Sequence, residues 1–199
     1  MTVGVWKVEE SHECLRAMFQ DFSIYEEGYA RFTSDKRKVE WLAVRALLKE
    51  LCGEEKSVSY YPSGKPYLTD GSARISFSHT QGYVAVAVHP CKEVAVDIEQ
   101  YGTRVKRVAH KFIRGDEQIP IEPLQEIQAL LLHWSAKETL YKLLDKEGVD
   151  FIRHLQVFPF ELVEEGEFVA CEHLTEQNEC FPVHYHTHPH YVLTYASRP

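Results

Sequence analysis

Val94-Ala95-Val96-Asp97-Ile98-Glu99 reads as a strand with two unlike faces. Successive side chains of a strand point to opposite sides, so Val94, Val96 and Ile98 enter a core while Asp97 and Glu99 project together from the other face. A second acidic stretch, Trp134-Ser135-Ala136-Lys137-Glu138-Thr139-Leu140-Tyr141-Lys142, carries helical spacing. If strand and helix converge, the two clusters form one metal site. Hard oxygen donors of this kind suit Mg²⁺, which takes few carboxylates and leaves its other positions to water and phosphate oxygens. A Mg²⁺-dependent phosphate enzyme is expected.

Outward from these two segments the chain is mixed helix and strand, an α+β fold. Residues 34–52 predict a helix: Ser34 or Asp35 caps it, Val39, Leu42, Ala43, Ala46 and Leu47 form its apolar stripe, and Gly53 ends it. Ser63-Gly64-Lys65-Pro66 predicts a turn, and residues 74–80 and 82–89 two strands joined at Gly82. A second helix is expected over residues 125–144, with Ala136, Leu140, Leu143 and Leu144 on its apolar face and Gly148 beyond its end. From Phe151 onward only strand-like pieces are legible, the clearest at 191–195.

Composition excludes several classes. A hydrophobic content of 44% over 199 residues supports one sizeable core or two small ones. No apolar run reaches the roughly 20 residues of a membrane span, and the start of the chain lacks a basic-then-apolar leader, so a soluble, cytoplasmic protein is expected. A formal charge of −8 argues against a general nucleic-acid surface and confines any phosphate-binding patch to a local cluster. The five cysteines, scattered and without a Cys-x-x-Cys pair, are expected to be reduced thiols.

The two helices echo each other. Trp41, Ala43, Leu47, Lys49 and Leu51 match Trp134, Ala136, Leu140, Lys142 and Leu144 at a constant offset, near half the chain. Two similar halves about a pseudo-twofold axis are expected, forming an intramolecular pseudodimer divided into residues 1–96 and 97–199. Arg45 then occupies in the first half the place of Glu138 in the second, a cation facing a metal-binding acid across a cleft.

Taken singly, each feature has a plainer reading. Glu138 and Lys142 are also spaced as a surface helix ion pair, Asp97 and Glu99 as a solvated strand face, and His79 as a core or turn histidine. Trp41 and Trp134 read as packing residues. His184, His186, His188 and His190 alternate as candidate transition-metal ligands on one strand face. Pro182 and Pro189 interrupt them and same-face neighbours lie nearly 7 Å apart, so a structural or adventitious role is favoured.

The joint order of Gly64-Lys65-Pro66, Phe77-Ser78-His79-Thr80, Asp97-Ile98-Glu99, Phe112 through Glu117, and Trp134-Ser135-Ala136-Lys137-Glu138 with Lys142 resembles the 4′-phosphopantetheinyl transferases. The chain length and doubled halves resemble the larger, surfactin-synthetase-activator (Sfp) type. The resemblance covers residues 34–48 and 64–142 and leaves the first 30 and last 50 residues almost unread.

It implies Mg²⁺-dependent transfer of phosphopantetheine from coenzyme A to a serine of an apo acyl or peptidyl carrier protein, with release of adenosine 3′,5′-bisphosphate. Asp97, Glu99 and Glu138 would hold Mg²⁺, or Mn²⁺ in its place, against the pyrophosphate. Glu138, or a water that it orients, would take the serine proton, while Lys142 would stabilise the departing bisphosphate with Lys137 nearby. Glu117 is a further acid, either near the metal or acting as base. His79 and Ser78 would meet the 3′-phosphate, Gly64, Lys65 and Pro66 the adenine, and Lys36, Arg37 and Arg45 the coenzyme phosphates. Arg104, Lys106, Arg107, Lys111 and Arg114 form a candidate carrier-docking run or, equally, a solvated helix face. A monomer is expected.

Two departures stand out: Ala95 replaces the usual glycine and adds a methyl on the strand face of Asp97, which is expected to narrow the approach of coenzyme or metal, and Thr80 replaces a serine. Two alternatives remain open, a nucleotide phosphohydrolase using the same acids and a non-catalytic module binding coenzyme A or carrier proteins.

Overall fold

The computed structural model describes residues 1–198. Strand β1 (Thr2–Lys7) leads into helices α1 (His12–Arg16), α2 (Ser23–Ala30) and α3 (Asp35–Cys52), followed by strands β2 (Val58–Tyr60), β3 (Pro66–Leu68), β4 (Arg74–Thr80), β5 (Tyr83–His89) and β6 (Glu93–Gln100). Helix α4 (Arg104–Val108) and a 3₁₀ turn at Ala109–Lys111 precede the long helix α5 (Pro123–Leu144). Strands β7 (Leu155–Val157), β8 (Glu165–Glu172), β9 (Cys180–His188) and β10 (Tyr191–Arg198) complete the chain.

Both long helices form where their periodicity places them. Helix α3 follows Ser34 and stops at Gly53, whose φ of 74° is a left-handed conformation that a Cβ would disfavour. Helix α5 begins two residues earlier than its pattern suggested, because Pro123 sits in the first turn, where a missing N–H costs nothing. It ends on Asp145 in the left-handed region, before Gly148 is reached. Gly82, at φ 75°, closes the β4–β5 hairpin.

Two antiparallel sheets result. One has the order β1-β5-β4, the other β6-β10-β9-β8-β7, and β2 with β3 forms a separate ribbon. Each larger sheet starts from a first strand flanked by a much later one: β1 pairs with β5, and β6 with β10.

Alternation along β5 divides its side chains between two cores. Val84 and Val86 pack with Leu42, Leu47 and Leu48 of α3. Tyr83, Ala85 and Ala87 pack with Val94, Val96 and Ile98 of β6 and Leu193 of β10. On the far side, α5 contributes Leu132, Leu140 and Leu143 to a third core containing Ala95, Phe112 and Val192. The layers therefore run α3, first sheet, second sheet, α5. Each fully buried leucine contributes on the order of 1.5–3 kcal/mol.

Where β4 runs beside β6, side chains replace the backbone ladder. The hydroxyl oxygens of Ser76, Ser78 and Thr80 accept from the backbone N–H groups of Val96, Ile98 and Gln100 at 3.1, 3.3 and 3.2 Å. Three alternate hydroxyls thus satisfy three alternate amides on the edge of β6, where an unpaired N–H would be costly.

The structure corrects two expectations. Cys171 and Cys180, directly opposite each other on β8 and β9, form a disulfide, while Cys14, Cys52 and Cys91 are free. Ala95 is fully buried in the α5 core, so its methyl meets the helix and does not narrow an approach path. The expected division between residues 96 and 97 falls within β6. Among the described residues no helix is long and apolar enough to cross a membrane.

Candidate functional site

Asp97 and Glu99 leave β6 on the face that α5 covers, and α5 turns Trp134, Glu138 and Lys142 toward them. Asp97 is 4% exposed and its Oδ1 accepts from Lys142 Nζ at 2.7 Å and from Ser78 Oγ at 2.9 Å. Its Oδ2 is buried with no hydrogen-bond partner. Lys142 also donates to the backbone carbonyl of Val96 at 2.9 Å. The indole N–H of Trp134 donates to Glu99 Oε1 at 2.7 Å.

The electrostatics follow from packing three acids together. Burial pushes the Glu99 carboxyl up to about 7, and the charge of Asp97 adds to this against the hydrogen bond from Trp134. Burial likewise pushes Glu138 up to about 7, again with Asp97 adding and Lys142 opposing. A cation at such a cluster would relieve both desolvation and mutual repulsion. The donor set and the unsatisfied Asp97 Oδ2 fit a hard divalent ion. Among the described residues, however, no three His, Cys, Asp or Glu side chains already close on a common point, so ligation by all three acids requires side-chain adjustment.

A cleft of about 460 Å³ adjoins the acids through Lys142 and is walled by Gly64, Lys65, Pro66, Phe77 and Val94. A smaller pocket of about 270 Å³ shares Gly64, Pro66 and Phe77 with it and adds Arg37, Arg45 and His79. The turn Gly64-Lys65-Pro66 is thus brought to the cleft as expected, with Lys65 Nζ paired to Glu93 at 2.6 Å. His79 Nε2 lies 3.4 Å from Arg37 and 3.5 Å from Glu40.

Arg45 is the unusual cation of this pocket. It is 3% exposed, its guanidinium stacks 3.8 Å above the Trp41 ring, and its hydrogen-bond partners, Tyr60 Oη at 2.8 Å and the Trp41 carbonyl at 3.4 Å, are both neutral. Its Nε has no partner. Burial lowers its pKa, opposed by Tyr60. A buried guanidinium without a carboxylate beside a pocket is suited to receiving an anion.

Three expected residues are placed elsewhere. Lys137 points into the core, where its Nζ lies 2.8 Å from Glu117 Oε1 and both side chains are 0% exposed. Phe112 and Phe151 carbonyls also accept from Lys137, at 2.5 and 3.2 Å. The backbone N–H groups of Arg114 and Val157 donate to Glu117, so neither residue of the pair opens on the cleft. Lys36 is exposed, 3.9 Å from Glu40, and lines neither pocket wall. Arg45 and Glu138 do not face each other across one cleft wall: Arg45 lines the smaller pocket, which Glu138 does not touch.

Trp134 was read as packing alone, yet its indole nitrogen holds Glu99 while its ring packs 5.1 Å from Phe112. Only the motif around it signalled a role beyond bulk. The histidine rings stay neighbours, His186 to His188 at 6.3 Å and His188 to His190 at 5.3 Å between centroids, and they also meet other groups. His184 lies 3.1 Å from Glu167, His186 lies 3.8 Å from Glu165, and His188 stacks 4.5 Å from Tyr191.

Residues 93–196, which contain β6, α5 and all three acids, match the 4′-phosphopantetheinyl transferase superfamily. The chain belongs to that superfamily, a class whose members transfer phosphopantetheine to carrier proteins and generally use Mg²⁺ and coenzyme A. No curated protein matches the chain.

Proposed function

We propose that this protein transfers 4′-phosphopantetheine from coenzyme A to a serine of an acyl or peptidyl carrier protein as a single-chain pseudodimer of the surfactin-synthetase-activator type. The observation that carries the reading is the Asp97–Glu99–Glu138 cluster, with both glutamates raised to about 7, set beside a cleft through Lys142. The pseudodimer is supported by the parallel strand orders β1-β5-β4 and β6-β10-β9, each with its long helix following the first strand. The halves then divide in the 90–92 loop, which keeps β6 whole.

Asp97, Glu99 and Glu138 would hold Mg²⁺, which supplies charge neutralisation at the pyrophosphate when bound. Arg45, Arg37 and His79 bind the coenzyme's phosphates in the smaller pocket, and Gly64, Lys65 and Pro66 flank its adenine end. Glu138 takes the serine proton as the serine oxygen–phosphorus bond forms. Lys142 stabilises the bisphosphate oxygen as the bond between phosphorus and the bridging oxygen breaks. Fatty-acid, polyketide and peptide-synthetase carriers are the partner class, approaching a surface that includes Arg104, Lys106, Arg107, Lys111 and Arg114.

Intact-mass measurement of a panel of apo carriers, incubated with the enzyme, coenzyme A and Mg²⁺, tests the reading. One phosphopantetheine added to a serine is expected, and its loss in Asp97→Ala and Glu138→Ala with folding retained. Release of bisphosphate without any carrier would mark a hydrolase. Tight coenzyme A binding with no adduct on any carrier would mark a binding module.

A further inference from the structure

Both donors that reach Asp97 converge on the same oxygen. Lys142 Nζ and Ser78 Oγ each bond Oδ1, leaving Oδ2 the buried atom without a partner. A carboxylate rotates readily about its terminal bond unless its oxygens are distinguished, and two donors on one side distinguish them. Lys142 is a long, half-buried side chain, whereas Ser78 is 7% exposed and held by the strand that bears it.

Ser78 is also the middle rung of the hydroxyl ladder. Its oxygen accepts from the Ile98 N–H at 3.3 Å, which orients the hydroxyl so that its proton is directed at Asp97. Ser76 and Thr80 make the corresponding bond to β6 but none to a carboxylate. One hydroxyl of three thus has a second task.

We propose that Ser78 is a positioning residue for Asp97, fixing the carboxylate with Oδ2 toward the divalent cation and tying that orientation to the register of β4 against β6. Ser78 is expected from the sequence to touch the coenzyme; within the protein its hydroxyl donates its one proton to Asp97 and accepts from Ile98. The inference rests on the Mg²⁺ site of the proposed function.

The test is Mn²⁺ titration of the full-length protein, followed by water-proton relaxation in the presence of coenzyme A, alongside thermal unfolding. Ser78→Ala should weaken Mn²⁺ binding about tenfold, the scale of one hydrogen bond to a charged group. Ser78→Thr, which keeps the hydroxyl, should restore binding to within about threefold, and Ser76→Ala and Thr80→Ala should change it less than about twofold. At saturating Mn²⁺ the KM for coenzyme A should be unchanged in Ser78→Ala. Equal weakening by Ser78→Ala and Ser76→Ala, or none by either, would overturn the proposal. Wild type that binds Mn²⁺ without modifying any carrier would sink the transferase reading while leaving the Ser78 comparison intact. Wild type that binds no Mn²⁺ would overturn both.

Discussion

Lys137 Nζ lies 2.8 Å from Glu117, with neither side chain exposed, one position along α5 from Glu138, which turns toward Asp97. Burial drives the Lys137 ammonium toward a lower pKa and Glu117 opposes it, so the pair persists because each charge answers the other. Removing one partner, in Glu117→Ala or Lys137→Ala, should cost about 3–5 kcal/mol in urea unfolding. Lys137→Met combined with Glu117→Leu should cost less than either single change. A folded Glu117→Ala protein of near-normal stability that has lost all transfer would instead mark Glu117 as catalytic.

Arg45→Met should leave stability within about 1 kcal/mol or raise it, since a desolvated cation is replaced by an apolar chain of similar length. Coenzyme A binding should weaken about ten- to a hundredfold, the range of a charge-assisted hydrogen bond. Calorimetric titration with coenzyme A and a thermal melt measure the two separately. Arg45→Lys should not rescue binding, because an ammonium lacks the planar stack on Trp41.

The position of Lys137 also marks how far the sequence could be read. Helix α3, helix α5 and strands β4 to β6 were legible because periodicity, glycines and alternation agree there. Strand β1, helices α1 and α2, and the β7–β9 region were not, since their short segments carry too few turns or alternations to set a period. Among the site residues, Asp97, Glu99, Glu138 and Lys142 were legible through strand and helix spacing together. The inward turn of Lys137 was not. Adjacent helical positions point about 100° apart, and two charged neighbours give no signal for which one is buried. The cysteine pair escaped for a related reason: Cys171 and Cys180 meet only through the register of β8 on β9, which no spacing rule specifies.

Trp134→Phe keeps ring packing against Phe112 and Phe151 but deletes the N–H that holds Glu99. Transfer should fall about tenfold at limiting Mg²⁺ and recover at saturating Mg²⁺. A rate loss independent of Mg²⁺ concentration would place the indole's role elsewhere.

Glu172 is fully buried at the end of β8 and closes the 173–179 turn. Burial tends to raise its pKa, but bonds from Thr175, Glu179 and Leu174 outweigh it and hold the carboxyl below its ordinary value. A depressed folded-state pKa contributes stability above the unfolded value, about 4.3 for glutamate, and loses it as pH falls through the folded value. The stability gap between wild type and Glu172→Gln should therefore be about 1–3 kcal/mol at neutral pH and shrink below about pH 4. Urea unfolding across that range measures it. A gap that stays constant or widens on acidification would contradict the assignment.

Reduction of the Cys171–Cys180 bond, which closes a nine-residue separation, should lower stability by about 2–3 kcal/mol by loop-closure entropy. Unfolding with and without reductant, compared with the Cys171→Ala/Cys180→Ala double variant, gives the value. Transfer should persist in the reduced protein, because the bond joins β8 and β9, which carry none of the three acids.

Strands held by peptide groups stay aligned through almost any change of side chain. The alignment of β4 on β6 is different in kind, because Ser76, Ser78 and Thr80 supply its acceptors. Three codons therefore encode a junction that a backbone ladder would have made independent of the genetic text. Mutation can loosen β4 from the acid-bearing strand one rung at a time, without refolding either sheet.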